Sequence, residues 1–455
     1  MIQRYLGVAA FIAVILYLIS IFYHSDILHA FYSTIAGLLL LFSIYKMNII
    51  NRLIVVLLLM IGSVLFLFYE VSVFVVLKSF GENLNLIGLF LLIPLFGTLM
   101  SEAGYLKALQ TFLLQREENH KAHPYRMGYM LTAAMGSLLN LGSMPLVYNI
   151  GYDSFSSFEN KKFTLMLLRG FGFCMLWSPY FVNVGLILVL YDLSWGEIGG
   201  YGIVLAFIYT GVVILFFPFS SFANDKQVVN APSFQKDPEQ TKSLLQSFLL
   251  YVAILLLFSF IMELILPVNM LTIVSVLAIV YPLIWAYMIK LFQSYIHEAV
   301  RHITHSFERL YNEIGIFITA GFFGEALSHS NVGEWLSNVV LQLSQGVIPV
   351  FVVILMMTAM LLALLGIHPV IIVLGLGNSL TPEHFGVTPA FMGVLLLSAW
   401  MLAVQISPFS GSVLMASNIM RESPWNVVRK NSFFIVTLMV IMTFILSLMK
   451  WLQLL

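Results

Sequence analysis

The chain has 455 residues, of which 60% are hydrophobic and 9% charged, and its formal net charge is zero. A soluble domain carries about 25% charged residues, so this composition excludes a soluble globular protein and implies a polytopic membrane protein. Zero net charge offers no handle for nucleic acid, and no nucleic-acid partner is expected. The single cysteine, Cys174, excludes an intramolecular disulfide and reads as a small packing residue.

A spanning helix needs about 20 apolar residues. Such segments occur at roughly 5–23, 28–45, 53–77, 86–106, 163–191, 200–218, 246–266, 270–289, 312–330, 389–418 and 432–450. The first is followed by His24, Ser25 and Asp26 rather than a small-residue cleavage site, so it reads as a retained helix. Two further apolar stretches, 127–150 and 349–377, have breakers near their middles: Asn140 to Pro145 and Gly366 to Pro369. Each is expected to be a re-entrant hairpin, because broken backbone at membrane depth must be buried in protein or line a wet cavity; a single Pro-kinked span is the alternative.

The two hairpins belong to a duplication. GLFLLIPLFGTLMS from Gly88 recurs as GIFITAGFFGEALS from Gly315. Gly88, Phe90, Phe96, Gly97 and Ser101 fall opposite Gly315, Phe317, Phe323, Gly324 and Ser328. Further on, Ser178-Pro179 matches Ser407-Pro408 inside apolar segments. Paired, Pro- or Gly-interrupted membrane segments point to the binding site of a secondary transporter.

Charge bias suggests how the copies are oriented. Lys107, Arg116, Lys121, Arg126, Lys161 and Lys162 flank the first hairpin, whereas 331–346 and 378–388 carry no Lys or Arg. The first hairpin is expected to enter from the cytoplasm and the second from outside, with the N-terminus cytoplasmic. Between the copies, the polar stretch from Ser220 to Lys242 reads as a cytoplasmic linker. Apolar residues at helical spacing between Lys290 and Asn312 suggest an amphipathic helix on the membrane surface. His302 and His305 are three apart there, and a solvated face is the reading of that pair.

The expected fold is all-α, with two inverted-topology repeats and about 11 spanning helices. Its division is an N-terminal frame or dimer contact (1–80), a first repeat (81–219), the linker (220–245), scaffold and interfacial helices (246–311), a second repeat (312–431) and a C-terminal helix (432–455).

Broken helices leave unpaired N–H groups that attract anions and unpaired C=O groups that attract cations. The candidate binding residues are Asn140, Gly142, Ser143, Ser178 and Asn183 around the first breaks, and Gly366, His368, Ser407, Ser410 and Ser412 around the second. Apart from His368 they are small and neutral, unlike a carboxylate cage for a hard metal, so no metal site is expected. Ser178 and Ser407 could instead satisfy carbonyls freed by their neighbouring prolines. Gln405 could face the cavity. His368 titrates near neutral pH if unperturbed and suits proton coupling or substrate contact. Arg169, inside an apolar run, could neutralise a carboxylate or snorkel to the surface. Of the acidic residues that interrupt apolar runs, Glu325 stands out because its first-copy counterpart is Thr98. No ATP-binding loop, HExxH, CxxC or G-x-S-x-G context is present.

The order of these pieces resembles the ion transporter superfamily, which includes divalent-anion:sodium symporters and C4-dicarboxylate carriers. The resemblance lies in GLFLLIPLFGTLMSEAGYLKAL, LLNLGSMPLVYNI and MLWSPYFVNVGLIL, repeated as GIFITAGFFGEALSHSNVGEWL, LLGIHPVIIVLGLGN and QISPFSGSVLMASNI. It implies that the hairpin tips and helix breaks bind substrate and coupling ion. The tips read Asn-Leu-Gly-Ser and Gly-Ile-His-Pro, not the Ser-Asn-Thr of the divalent-anion:sodium branch. The expected function is secondary transport of a small organic anion, coupled to H⁺ or Na⁺ and needing no other cofactor, in a multi-pass cell-membrane protein with the bilayer and a second copy as partners. A cation/proton antiporter is the alternative. A membrane-embedded lipid-handling protein or enzyme is the rival from another class.

Overall fold

The computed structural model describes residues 2–118, 123–222, 224–229 and 238–455. Lys121 and much of the 220–245 linker lie outside the described residues, as does the side chain of Arg116. The described residues are almost entirely helical.

Three long helices open the chain: α1 (Ile2–Phe22), α2 (Asp26–Lys46) and α3 (Ile49–Phe68). Ser25 and Asn48 cap α2 and α3 by accepting from Leu28 N and Asn51 N. Arg52 binds the carbonyls of Ile44, Tyr45 and Met47 at 2.9 Å, which closes the free end of α2. Short α4 (Val73–Ser79) leads to α5 (Leu84–Leu92) and α6 (Pro94–Glu102), which are parted only at Ile93 because Pro94 has no N–H to donate. Next comes α7 (Tyr105–Glu118).

The first hairpin is α8 (Pro124–Leu139), a tip at Asn140–Gly142, and α9 (Ser143–Ser154). Phe163 lies against both Gly128 on α8 and Gly151 on α9, so the two arms run side by side. The first broken helix is α10 (Asn160–Cys174), an unwound stretch, and α11 (Val182–Leu190). Then follow α12 (Trp195–Phe216), α13 (Pro238–Ile265), α14 (Met270–Met288) and α15 (Phe292–Thr304). The two short strands β1 (Ser157–Glu159) and β2 (Gln227–Val229) pair antiparallel beside the start of α10.

In the second half, α16 (Ser306–Ser328) and α17 (Val332–Ser344) precede the second hairpin, α18 (Ile348–Leu364) and α19 (Pro369–Ser379). The second broken helix is α20 (Pro389–Ile406) and α21 (Gly411–Met420), and α22 (Pro424–Trp451) closes the chain. The amphipathic segment ends at Thr304, earlier than the sequence pattern suggests, and His305 begins a new helix direction into α16.

Among the described residues, ten helical stretches are long and apolar enough to cross a membrane. This is one fewer than the sequence reading. Two of the eleven spans are not among the ten, 312–330, where α16 carries Glu308, Arg309, Glu313 and Glu325, and 163–191, where α10 is broken from α11, while the stretch of the first hairpin, Pro124–Ser154, is counted. Helix α16 is nevertheless buried along most of its length, packed on α2, α3, α5 and α19. Phe90 and Phe317, opposite each other in the duplication, meet with ring centroids 5.3 Å apart. Helix α3, just before the first copy, packs on α16 of the second, and α14, just before the second copy, packs on α5 of the first. The protein is thus an all-α, multi-pass membrane protein whose two halves share one core.

Candidate functional site

Pro179 and Pro408 cannot donate to the carbonyls four residues earlier, Met175 O and Val404 O. Each freed carbonyl acquires a side-chain donor from beyond the break. Asn183 Nδ2 donates to Met175 O at 2.6 Å, and Ser410 Oγ donates to Val404 O at 2.6 Å. The serines beside the prolines do something else. Ser178 Oγ donates to Ser137 O at 2.6 Å, and Ser407 Oγ donates to Ala363 O at 2.7 Å. Both acceptors lie in the last turn of a hairpin's first arm, so each serine ties a broken helix to its own hairpin. Each hydroxyl also accepts from the backbone N–H two residues on, that of Tyr180 or Phe409.

Between these breaks lies a cavity of about 110 Å³. At about 30 Å³ per water, it has room for a few waters or a compact solute, not for a lipid. The first hairpin lines it with Asn140 and Leu141, and the first break with Met175, Phe181, Val182 and Asn183. The second hairpin lines it with His368, Pro369 and Val370, and the second break with Ser410, Gly411 and Ser412. Phe90, Phe171, Trp400 and Val404 supply apolar walls, and Glu313 of α16 supplies a carboxylate.

Three helices start at this cavity: α11 with Val182 and Asn183, α19 with Pro369 and Val370, and α21 with Gly411 and Ser412. The tip residues Asn140 and Leu141 stand just ahead of α9. Helix N-termini carry unpaired N–H groups and a partial positive charge. Three buried side-chain oxygens on the lining have no hydrogen-bond partner: Asn183 Oδ1, Ser412 Oγ and Glu313 Oε2. Asn183 and Ser412 occupy equivalent positions of the duplication, five residues beyond Ser178 and Ser407. Buried polar atoms are nearly always satisfied, and an exception signals a missing ligand or water.

The remaining candidates have other places. Asn140 takes the unusual φ of +52°, and its Oδ1 accepts from Leu141 N at 2.8 Å. Ser143 Oγ donates to Asn140 O at 2.8 Å, bracing the tip from behind, and Gly142 is in the turn without lining the cavity. Gly366 has φ +95° beside Phe409, a conformation that suits glycine. His368 caps α19, its Nδ1 accepting from Val370 N at 3.3 Å. That bond assigns the proton of the neutral ring to Nε2.

Arg169 is buried away from the cavity. It donates to Ser220 Oγ at 2.8 Å and Asn431 Oδ1 at 3.3 Å, and lies over the Phe434 ring at 4.2 Å. Gln405 joins this network, donating to Leu168 O at 2.8 Å and accepting from Asn431 Nδ2 at 3.2 Å. Glu325 pairs with His329 at 3.2 Å, also outside the cavity. His302 and His305 make separate contacts. Burial and the Arg309 guanidinium push the His302 ring down to about 4, while His305 Nδ1 lies 2.9 Å from Arg301 O. Among the described residues no cluster of His, Cys, Asp or Glu could hold a metal ion.

Glu313 is the lining residue that reading the sequence missed. It lies near the start of a candidate span, where an acidic residue looks like a boundary. The signal was present: its first-copy counterpart is Leu86, the same asymmetry that singled out Glu325 opposite Thr98.

No curated protein matches the chain. Residues 177–451, more than half of it, match the family model of the tripartite ATP-independent periplasmic transporter, DctM component. That match, with ten helical stretches long and apolar enough to cross a membrane among the described residues, makes it a multi-pass inner-membrane transporter component and not an enzyme. The chain belongs to the DctM family of tripartite ATP-independent periplasmic transporters.

Proposed function

We propose that this chain carries a small organic anion, of carboxylate type, across the membrane by alternating access, driven by H⁺ or Na⁺. One observation carries the reading: three helix N-termini, those of α11, α19 and α21, meet at a small cavity. N-termini of half-helices favour a bound anion. The apolar walls and small volume limit the solute to a compact one. Each hairpin is tied to a broken helix by the Ser178 or Ser407 hydroxyl, and the moving unit in this reading is that pair. Helices α1, α2, α3, α14 and α16 would form the frame it moves against. The family description supports a gradient rather than ATP as the energy source, and implies two further components that work with this chain.

A cation/proton antiporter would call on Glu325 and His368 more than on Arg169. Glu325 is paired with His329 away from His368's cavity, which favours the anion transporter.

The test is solute-dependent current on a solid-supported membrane. The complex of this chain with its partner components is challenged with mono-, di- and tricarboxylates, each with and without Na⁺ and a pH step. Current that needs one carboxylate and one cation is the expected result. Current from Na⁺ or pH steps alone would replace this reading with the antiporter.

A further inference from the structure

Glu313 is an acidic side chain in a cavity otherwise built to attract an anion. Its Oε2 is inaccessible to solvent and has no hydrogen-bond partner, and among the described residues it makes no ion pair. Neighbouring cations are committed elsewhere. On α3, Arg52 holds the carbonyls that end α2. On α16 itself, Arg309 donates to His302 O and contacts His302 Nδ1, at 2.9 and 2.8 Å. Helix α5 contributes no charged or titratable group, and Lys46, on the end of α2 that packs against Gly315, has an exposed side chain. The group that shares the lining with Glu313 is His368 of α19, whose protonated Nε2 is a donor.

An ionised Glu313 and an anionic solute would be two like charges in one small, largely apolar cavity, with no side-chain cation on the lining. With no bound cation between them, the two charges repel, which favours protonation of one. A protonated Glu313 removes the repulsion and adds an O–H donor for the solute's carboxylate. We infer that Glu313 carries the coupling proton: the site accepts the anion with Glu313 protonated, and the two travel and leave together. The proton moves on and off the carboxyl oxygen through water in the open cavity, with His368 as the second hydrogen-bonding group facing it. This rests on the anion-transport reading above and names its coupling ion.

The first measurement is pH-dependent infrared difference spectroscopy of the full chain in lipid nanodiscs, which needs no solute. A protonated-carboxyl band should be present in the wild type, absent in Glu313→Gln and shifted in Glu313→Asp. Identical wild-type and Glu313→Gln spectra would overturn the inference. The second measurement uses succinate as probe, above neutral pH where it is fully ionised, with a pH dye in weak buffer. The wild type should take up about one proton per succinate bound, with affinity falling about tenfold per pH unit. Glu313→Gln should bind with a flat pH profile and no uptake, and Glu313→Asp should restore the pH dependence. Succinate binding with Na⁺ but without proton uptake would overturn the inference and leave anion transport standing. If no carboxylate of the panel binds the wild type at any pH, the anion reading fails, while the infrared band still decides whether Glu313 holds a proton.

Discussion

Ser178 and Ser407 show how one residue type does different work from what its neighbour suggests. The carbonyls freed by Pro179 and Pro408 are satisfied by Asn183 and Ser410, which leaves both Ser-Pro hydroxyls to bind their hairpins. Removing either hydroxyl deprives a buried hairpin carbonyl of its donor, at a cost of about 1–3 kcal/mol. Ser178→Ala and Ser407→Ala should each lower the thermal unfolding midpoint in detergent. They should also slow transport more than they weaken solute binding, because the tie lies behind the cavity wall. A variant with unchanged stability and unchanged transport would show that the hairpin moves independently of its broken helix. The duplication and the prolines made both serines legible in the sequence. Their acceptors were not, since Ser137 lies 41 residues from Ser178 and Ala363 lies 44 from Ser407.

Packing between elements depends on small residues at close approach. Helix α8 lies against α10 at Gly170, where a Cβ would stand 2.7 Å from Tyr129 O and 2.9 Å from the Thr132 Cβ. Backbone cannot yield as a side-chain tip can, and overpacking of this kind costs about 1–3 kcal/mol. Gly170→Ala should therefore destabilise the first hairpin's seat on α10, read as a lower unfolding midpoint and faster proteolysis near the 140–142 tip. The hairpins themselves were readable, because Asn140 to Pro145 and Gly366 to Pro369 interrupt apolar runs too long to be one clean helix. The 312–330 segment was readable as a span too, but its start at Ser306 and its burial by α2, α3 and α5 were not.

Across the whole molecule the two halves are joined by polar contacts as well as by apolar packing. Gln405 of α20 reaches Leu168 O of α10, while Asn431 of α22 bridges Gln405 and Arg169. Lys161 and Glu422 add an ion pair at 2.6 Å between the start of α10 and the turn before α22. Asn431→Leu should leave Arg169 with one acceptor fewer in a buried setting, and leaving a buried donor without its partner costs about 1–3 kcal/mol. We expect loss of folded protein at growth temperature, with Asn431→Asp retaining it. Equal stability of Asn431→Leu and wild type would show that Arg169 reaches water. This places the Arg169 charge in joining the halves, not in the cavity.

The sequence by itself determined the membrane class, the duplication, the positions of the four breaks and most of the small polar residues around them. These are local properties: an apolar run, a proline without an N–H, or a glycine at a tip acts within a few residues of itself. The tertiary structure alone decided which oxygens remain unpartnered, that Arg169 and Glu325 lie outside the cavity, and that Glu313 lies in it. Most of those depend on groups far apart in the chain meeting in space. Asn431 is 262 residues from Arg169, and no pattern along the chain encodes that distance closing.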